Sequence, residues 1–435
     1  MNQNSETPDS RRAFLKKSSL AVAAGVAAPY LAFPQKSFSQ SNATLKVGLI
    51  GCGGRGTGAA SQALSADKNV VLTALGDVFE SQLDVAQKAL SKDFADKVKV
   101  EPSNRFLGLD AYQKVIDSGV DVVLLATPPG FRPLHLKAAI AAGKHVFCEK
   151  PVATDAPGIR SVLASVEQAK KKNLALVAGF CWRYNLAERA LFEKIHEGGI
   201  GDVRVFYGTY YTSPVKPMPA ASKRPPGMSD LEWQLRNWYN FVWLSGDGLV
   251  EQAVHAVDWM CWAFKDIPPL KALAVGGRQI PANGGNIFDH FEVNYEYADG
   301  ARGFLGCRQQ NHCANDNSAT IYGTKGTARE MGFATMPSIK GENNWKYQGP
   351  RPNMYQVEHD EMFASIRKGT PINDGLRLAH SSMTAIMGRM AAYTGEEITW
   401  EQALNSEEKL VPENMQWDMS LPVPPLALPG QNKMA

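Results

Sequence analysis

Three ionisable side chains near residue 250 have the spacing of one helical face. Glu251, His255 and Asp258 stand at positions i, i+4 and i+7, and valines with Cys261 form an apolar stripe beside them. A histidine has an unperturbed pKa near working pH and is suited to act as a general base, and a neighbouring carboxylate stabilises its cation. Taken alone, the same pattern fits a solvated polar face better, and a metal site is a weaker alternative.

A lysine follows an apolar run at a position that suits a ligand site. Residues 144–148 are typical of a buried strand, and Glu149, Lys150 and Pro151 come directly after it. Because the proline favours an extended backbone at Lys150 and ends strand pairing, the ammonium is presented at the tip of the strand. Ligands of open α/β sheets bind at this edge. Lys150 is therefore a candidate to stabilise a developing alkoxide, with a plain surface charge as the alternative.

A glycine-rich turn between two apolar runs predicts a dinucleotide site. Gly51, Gly53 and Gly56 fit G-x-G-x-x-G, and the second run ends at Asp77. The first glycine permits the tight turn, the second lets backbone approach a pyrophosphate, and the third lets helix pack on strand. An acid at the end of the second strand binds the ribose hydroxyls and repels the extra phosphate of NADP. The predicted cofactor is therefore NAD, and an ordinary glycine-rich turn is the alternative.

Strand and helix patterns alternate after this turn, as a doubly wound parallel sheet requires. Residues 120–125 form another apolar run, and Thr127 and Pro128 lie in the loop that follows it. His135 opens the next helical segment, which ends at Gly143. The sequence thus predicts an α/β protein whose N-terminal domain is a Rossmann fold with its ligand at the carboxyl ends of the strands.

Composition is that of a globular protein with room for two domains. Of 435 residues, 44% are hydrophobic and 20% are charged. The net charge of +3 is carried by residues 1–42, which hold five Lys or Arg against two acids, so the remainder is formally neutral. We therefore expect neither a nucleic acid nor a membrane surface as a partner.

The six cysteines are expected to be buried free thiols. Their spacing contains no C-x-x-C pair and no disulfide framework. Cys307, His312 and Cys313 match no standard zinc pattern, so we predict no metal site there.

The first 42 residues match a twin-arginine export signal. Ser10 to Lys16 reads SRRAFLK, and the apolar stretch at 20–32 is too short to span a bilayer. Cleavage is expected between Ser37 and Ala43. Because this route carries folded proteins, it suits a protein that takes up NAD in the cytoplasm and works in the periplasm. The predicted divisions are a signal at 1–42, a Rossmann domain at 43–165, a substrate and oligomerisation domain at 166–411, and a proline-rich tail at 412–435.

Together these motifs resemble the glucose–fructose oxidoreductase/inositol dehydrogenase/MocA superfamily. The resemblance is carried by the glycine motif, Thr127-Pro128 with His135, Glu149-Lys150-Pro151, and the segments 182–185 and 248–258. It implies a C-terminal α/β domain with a large, mostly antiparallel sheet. It also implies a nicotinamide cofactor, a sugar or cyclitol substrate, and homodimers or homotetramers that pack sheet against sheet. Because no NAD pool regenerates the cofactor outside the cytoplasm, we expect NAD to be tightly bound.

The resemblance also implies the roles of site residues. In the family, an Asp one turn before a His joins the Glu-Lys-Pro lysine in the catalytic set; here Glu251 replaces that Asp, and Ala253 replaces a usual Gly. We therefore expect Lys150, Glu251 and His255 to be catalytic, with Glu251 orienting His255. The expected cofactor ligands are Gly51, Gly53, Gly54, Arg55, Gly56, Asp77, Thr127, Pro128, His135, Glu149 and Lys150. The candidates for substrate contacts are Arg183, Tyr184, Trp238 and Gln252.

Three functions fit these expectations. The first is an NAD-dependent oxidoreductase that transfers a hydride between a sugar, cyclitol or glycoside carbinol carbon and nicotinamide. The second is a redox-neutral glycosidase that oxidises its sugar transiently, eliminates the aglycone, adds water and reduces the product. The third is a non-catalytic NAD-binding partner subunit, and the joint presence of Lys150, Glu251 and His255 argues against it.

Export should depend on the arginine pair. Replacing Arg11 and Arg12 together by lysine keeps the charge but removes the twin-arginine determinant, so the precursor should remain in the cytoplasm. Cell fractionation and immunoblotting measure the periplasmic share, and Lys17→Arg, outside the seven-residue motif, is the control. A periplasmic yield equal to that of the natural sequence in the double variant contradicts the signal assignment.

Overall fold

A computed structural model describes residues 43–332 and 334–433 of the chain. The export signal predicted at 1–42 lies outside these residues. Among the helices described, none combines the length and the apolar character needed to cross a bilayer.

The first domain is built on six parallel strands in the order β3-β2-β1-β4-β5-β6. Their apolar runs are buried because helices cover both faces of such a sheet. The strand order reverses between β1 and β4, which pair side by side, and this switch point opens a crevice at the carboxyl ends. The predicted doubly wound domain is confirmed. The strands are Leu45–Ile50 (β1), Val70–Asp77 (β2), Arg105–Leu107 (β3), Val122–Leu125 (β4), His145–Cys148 (β5) and Leu176–Ala178 (β6).

Five helices connect these strands. The last begins at a side-chain cap, because the Asp155 carboxylate accepts a hydrogen bond from the Gly158 N–H at 2.8 Å. The helices are Gly54–Ala66 (α1), Glu80–Asp93 (α2), Ala111–Asp117 (α3), Arg132–Ala141 (α4) and Ala156–Lys171 (α5).

The second domain contains a nine-stranded sheet in the order β14-β13-β12-β11-β7-β10-β9-β8-β15. Every neighbouring pair is antiparallel except β7 with β10, which run parallel. This confirms the large, mostly antiparallel sheet. The strands are Val203–Thr212 (β7), Lys271–Gly277 (β8), His290–Glu296 (β9), Arg302–Gln309 (β10), Asp316–Gly323 (β11), Gly326–Glu330 (β12), Ser338–Gly341 (β13), Trp345–Lys346 (β14) and Ile398–Thr399 (β15).

The helices that follow α5 include one correction. A single helix was expected from Gly248, but two short helices are separated by a turn at Gln252 and Ala253. The helices are Leu186–His196 (α6), Asp230–Arg236 (α7), Val242–Ser245 (α8), Gly248–Glu251 (α9), Val254–Ala263 (α10), Met354–Lys368 (α11), Gly375–Thr394 (α12) and Trp400–Asn405 (α13).

The domain boundary predicted at residue 165 is too early. Strand β6 pairs with β5 in the first sheet, although its apolar run had been assigned to the second domain. Helix α11 also packs against α1, where Gln356 Nε2 donates to the Gln62 carbonyl at 3.1 Å. Arg367 pairs with Asp67 at 2.7 Å on the same surface. Helix α11 thus packs on the first domain although it follows the strands of the second domain in sequence. A single boundary position therefore cannot separate the two domains.

The proline-rich tail is not a separate unit. Its apolar side chains pack on a cluster that contains residues of both domains, so the predicted division at 412 does not mark a compact boundary. The contributing tail residues are Met415, Met419 and Leu421, and Leu410 and Val411 just before the tail pack on the same cluster.

All six cysteines are free thiols, as expected. Five of them are buried, whereas Cys313 is exposed and corrects the expectation of burial for that residue. Burial raises the pKa of the Cys148 thiol to about 12, so this thiol is un-ionised at neutral pH.

Candidate active site

A cleft of about 470 Å³ opens at the switch point between β1 and β4. This volume is in the range of small-molecule sites. Of the eleven predicted cofactor ligands, Glu149 and Lys150 lie outside the lining. The lining contains the other nine: Gly51, Gly53, Gly54, Arg55, Gly56, Asp77, Thr127, Pro128 and His135.

The glycines leave a bare backbone cradle in this cleft. Gly51 has a φ of +92°, and a Cβ there would lie 2.7 Å from the Ala126 backbone. A Cβ at Gly56 would come within 1.9 Å of the Gly51 carbonyl oxygen, so α1 packs directly on the turn. Gly53 and Gly54 instead face open space, with no heavy atom within 4 Å of an added Cβ. Open backbone at the N-terminus of α1 fits the pyrophosphate of a dinucleotide.

Asp77 lies beside the same turn and is held there by hydrogen bonds. Its carboxylate accepts hydrogen bonds from the backbone N–H groups of Cys52 at 2.7 Å and Phe79 at 2.9 Å. Burial raises the pKa of Asp77, and these backbone hydrogen bonds offset part of that effect. The position at the end of β2 fits the ribose role expected of an acid in this fold.

A flat wall of stacked rings lines another part of the cleft. The Thr127 hydroxyl lies 3.2 Å from Nδ1 of His135. The His135 ring stacks on Tyr112 with centroids 4.2 Å apart and lies nearly parallel to Phe131. Burial and the Arg132 charge lower the pKa of His135 to about 3, so the ring is neutral. Such a wall suits a planar ligand ring.

Glu149 acts on the cleft through Arg55. The Arg55 Nε lies 3.0 Å from Glu149 Oε1, and its Nη2 donates to Gln62 Oε1 at 2.6 Å. The guanidinium also lies 4.8 Å from the centroid of the Tyr355 ring. These contacts hold a cation beside the glycine turn, where it favours a phosphate group. The cofactor role of Glu149 is therefore indirect.

The second domain supplies an opposite wall, which we call the roof. It consists of Lys216, Leu235, Arg236 and Trp238. Trp238 lines this cleft, and its predicted contact with substrate stays a prediction. The other three were missed, because nothing local in the sequence relates them to a glycine turn more than 150 residues earlier.

A second polar cluster forms around Lys150, beyond the end of β5. The Lys150 Nζ donates to the Glu251 carbonyl at 2.7 Å and lies 3.4 Å from Glu251 Oε1. Lys150 is 9% exposed and Glu251 is 6% exposed. The ammonium and the carboxylate therefore form a buried pair that joins the first domain to α9.

Two tyrosines that the sequence analysis missed complete this cluster. The Tyr239 hydroxyl donates to Glu251 Oε2, and Gln252 Nε2 donates to the same oxygen at 2.6 Å. The Tyr210 hydroxyl donates to Gln252 Oε1 at 3.0 Å. Gln252 therefore lies among the predicted catalytic residues, and its contact with substrate stays a prediction. The aromatic run around Tyr239 was visible in the sequence, but its pairing with Glu251 was not.

His255 lies near this cluster without a hydrogen bond to Glu251. The turn at Gln252 and Ala253 breaks the i, i+4 relation, because Glu251 ends α9 and His255 belongs to α10. Within the described ranges, His255 Nδ1 is buried and has no hydrogen-bond partner. Its ring lies against Phe180 and Tyr210, with centroids 6.2 and 6.5 Å away. The expectation that Glu251 orients His255 is therefore wrong in this structure; Glu251 holds Lys150.

The charges of the cluster follow from burial and from Lys150. Burial alone raises the pKa of Glu251, but the Lys150 charge and the hydrogen bonds from Tyr239 and Gln252 bring it below its ordinary value. Burial and repulsion by Lys150 lower the pKa of His255 well below 6.5. At neutral pH, Glu251 is ionised and His255 is a neutral imidazole that is able to accept a proton.

Arg183 and Asp258 lie in the interior instead of the cluster. Arg183 Nε donates to Asp258 Oδ2 at 2.8 Å, and its Nη2 lies 2.5 Å from Asp266 Oδ1. Asp258 also accepts a hydrogen bond from Ser381 Oγ at 2.8 Å. Since two carboxylates occupy the guanidinium, the expected substrate contact of Arg183 is wrong. The Asp258 carboxylate is likewise occupied by Arg183 and Ser381, and no group of three candidate metal ligands occurs among the described residues.

Tyr184 also has a structural role. Its hydroxyl donates to Asp374 Oδ2 at 2.6 Å, and its ring lies under the Arg189 guanidinium at 4.7 Å. Tyr184 is 1% exposed. Its expected substrate contact is therefore wrong, because its only polar atom is buried and used. The short 3-10 helix Cys181–Tyr184 turns these side chains inward.

Two family models match the chain. Residues 45–179 match the oxidoreductase family with an NAD-binding Rossmann fold, and residues 189–329 match the GFO/IDH/MocA C-terminal domain. The chain belongs to the Gfo/Idh/MocA oxidoreductase family. It is an NAD-dependent oxidoreductase, and the predicted cofactor NAD is confirmed. The first match ends directly after β6, in agreement with the corrected boundary.

Similar proteins and solved structures support the same family. The chain is 27% identical to trans-1,2-dihydrobenzene-1,2-diol dehydrogenase of Mus musculus, over 73% of this chain and 90% of that one. The solved structure of aldose-aldose oxidoreductase from Caulobacter crescentus, complexed with glycerol, has a TM-score of 0.64 at 18% identity. Levoglucosan dehydrogenase in complex with NADH and levoglucosan has a TM-score of 0.63 at 20% identity. Each structural match covers 82% of this chain and 99% of the other.

The pKa of His255 should respond to the charge of Lys150. In the natural protein, His255 should stay neutral as pH falls through 6.5, the ordinary histidine value. Lys150→Met removes the repulsion, so the pKa of His255 should rise toward that value. NMR titration of the His255 ring measures the change. Lys137→Met, at an exposed lysine on α4, is the control and should leave the pKa of His255 unaltered. An unchanged His255 pKa in Lys150→Met contradicts this electrostatic coupling.

Proposed function

We propose that the protein transfers a hydride between a carbinol carbon of a sugar, cyclitol or glycoside and NAD. The observation that carries the proposal is the buried cluster of Lys150, Glu251 and His255, at the same sheet edge as the NAD cleft. Bound in the cleft, NAD supplies the hydride acceptor and donor at its nicotinamide. The chain's own residues bind the substrate, exclude water and handle the hydroxyl proton.

The cluster divides this work between two residues. His255, held neutral, takes the proton of the substrate hydroxyl as general base. Lys150 donates a hydrogen bond to the same oxygen and stabilises the alkoxide as it develops. Glu251 holds the ammonium through its carbonyl and carboxylate, and Tyr239 and Gln252 hold the carboxylate. Glu251 is thus a positioning residue for Lys150.

The substrate class is proposed from the cluster and the relatives together. The relatives are named for a diol, for aldoses and for levoglucosan. Each name denotes a hydroxylated compound that offers a carbinol carbon. An amide and several hydroxyls around Lys150, including Gln252 and Tyr210, suit such a hydroxylated ligand.

A redox-neutral glycosidase is the second candidate. The roof, which lines the cofactor cleft from the second domain, favours an NAD that stays bound. A retained cofactor suits a cycle that oxidises the sugar, eliminates the aglycone, adds water and reduces the product. The two candidates differ in whether added NAD is consumed.

One assay tests the proposal and separates the candidates. The purified protein is incubated with free aldoses, cyclitols and glycosides, with and without added NAD, and products are identified by mass. A dehydrogenase should form NADH and an oxidised product. A redox-neutral glycosidase should release the unoxidised sugar without added NAD.

The catalytic residues are tested on any accepted substrate. His255→Ala should retain NAD and slow turnover by about 10²–10⁴-fold, the usual effect of losing a positioned general base. Lys150→Met should slow it at least as much. The double variant should be less than additive, because both residues act on one oxygen. The control is His312→Asn, at an exposed histidine with a φ of 61°, which asparagine tolerates. If His255→Ala turned over substrate at the rate of the unsubstituted protein, the mechanism would be contradicted.

We also propose that the mature protein works in the periplasm. The support is the SRRAFLK segment at residues 10–16, together with a cofactor that a folded protein would carry with it. The arginine-pair experiment above tests this proposal.

We further propose a homodimer or homotetramer formed through the outer face of the nine-stranded sheet. Large apolar side chains lie exposed on this face, among them Leu273 at 49% and Val275 at 69% on β8. Tyr207 on β7 and Tyr322 on β11 are each 46% exposed. Exposed apolar side chains on this face favour association with a second copy.

Charges on this face should dissociate the oligomer. Leu273→Asp combined with Val275→Asp places two carboxylates in the proposed contact, so light scattering should give the mass of one chain. The control is Val85→Asp, at a valine on α2 that is 62% exposed, and it should keep the natural mass. A monomeric natural protein, or a double variant of unchanged mass, contradicts the proposed interface.

A further inference from the structure

The NAD cleft shares part of its lining with an apolar cluster. Phe131 and Leu235 are members of the cluster and also line the cleft, so the two share a wall. Whatever packs on the cluster therefore also supports that wall. The buried members are Phe131, Met218, Leu231, Leu235, Phe241, Trp243 and Leu244.

Residues 410–421, here called the strap, pack on this cluster. Leu410, Met415, Met419 and Leu421 are among the strap side chains in contact with it. Contact with the cluster removes apolar surface of these side chains from water, which stabilises the strap in this position.

Hydrogen bonds fix the strap to α7 and its cap. The Trp417 carbonyl accepts a hydrogen bond from Ser229 Oγ at 2.6 Å. The Leu421 carbonyl accepts one from Gln234 Nε2 at 2.6 Å, and its N–H donates to the Asp230 carboxylate at 2.9 Å. Helix α7 ends at Arg236, a roof residue, so the strap holds the helix that carries part of the roof.

One aromatic ring connects the strap to the cleft. The Trp417 ring meets Phe79 edge-on, with centroids 5.9 Å apart. The Arg236 guanidinium also lies over Phe79, 4.4 Å from the ring centroid. Phe79 and Arg236 both line the cleft, and the Phe79 N–H donates to Asp77. The strap thus supports the end of the cleft at which Asp77 lies.

We propose that the strap is a cofactor-retention element that slows the dissociation of NAD. Among the described residues, none of the strap lines the cleft itself, so it acts by holding Phe79 and α7 in place. It makes no hydrogen bond to Lys150, Glu251 or His255 within the described ranges, so it affects NAD release and not the chemical step. The proposal rests on NAD in this cleft and is independent of the substrate.

Removing the Trp417 ring tests the proposal. Trp417 is 38% exposed, so Trp417→Ala leaves the buried cluster intact. The NAD dissociation rate, measured by exchange against excess labelled NAD, should rise about 2- to 10-fold, as expected for the loss of one aromatic contact. Trp417→Ala combined with Met419→Ala should release NAD faster still, and Trp417→Phe should restore most of the retention. Turnover at saturating NAD should not fall in any of them.

A matched control is available at the edge of the nine-stranded sheet. Trp345 on β14 makes a similar edge contact with Tyr347, with centroids 6.3 Å apart, and Trp345→Ala should leave NAD release unchanged. Thermal unfolding with saturating NAD verifies that each variant is folded. Natural release rates in Trp417→Ala overturn the strap proposal. Absence of NAD from the natural protein overturns both the strap and the NAD cleft, which distinguishes the two failures.

Discussion

The buried contact between Lys150 and Glu251 is the constraint on which the proposed active site depends. An ammonium that is only 9% exposed is costly unless acceptors meet it, and Glu251 supplies both a carbonyl and a carboxylate. Because Lys150 follows β5 and Glu251 ends α9, the pair also joins the first domain to the second. Tyr239 and Gln252 then satisfy the remaining carboxylate oxygen, so Glu251 alone binds three polar side chains.

The same lysine determines the state of the histidine. Its charge helps to keep Glu251 ionised and His255 neutral. No carboxylate bonds to His255 within the described ranges, so an imidazolium formed there would be repelled by Lys150 without compensation. His255 is therefore unprotonated at neutral pH, and a proton accepted there would be held weakly. This differs from the arrangement in which an acid stabilises the histidine cation.

The cofactor cleft combines two kinds of wall. The first domain contributes bare backbone at Gly53 and Gly54, which is open because no side chain is present. The second domain contributes the roof, which consists of Lys216, Leu235, Arg236 and Trp238. The first wall fits a phosphate group, and in our proposal the second limits the escape of NAD. The strap supports the second wall from outside, so segments of the chain that are remote in sequence contribute to one site.

Sequence alone determined the features that depend on near neighbours in the chain. The glycine turn, Asp77, the strand that ends before Lys150 and the alternation of strand and helix follow from local steric and apolar patterns. Tertiary structure decided which polar groups meet: Lys150 finds Glu251 across 101 residues, Arg183 finds Asp258 across 75, and Trp238 joins the cofactor cleft. It also added β6 to the first sheet and broke the helix between Glu251 and His255. A local pattern specifies that a polar group must be satisfied when it is buried, but the partner is chosen by packing between distant elements.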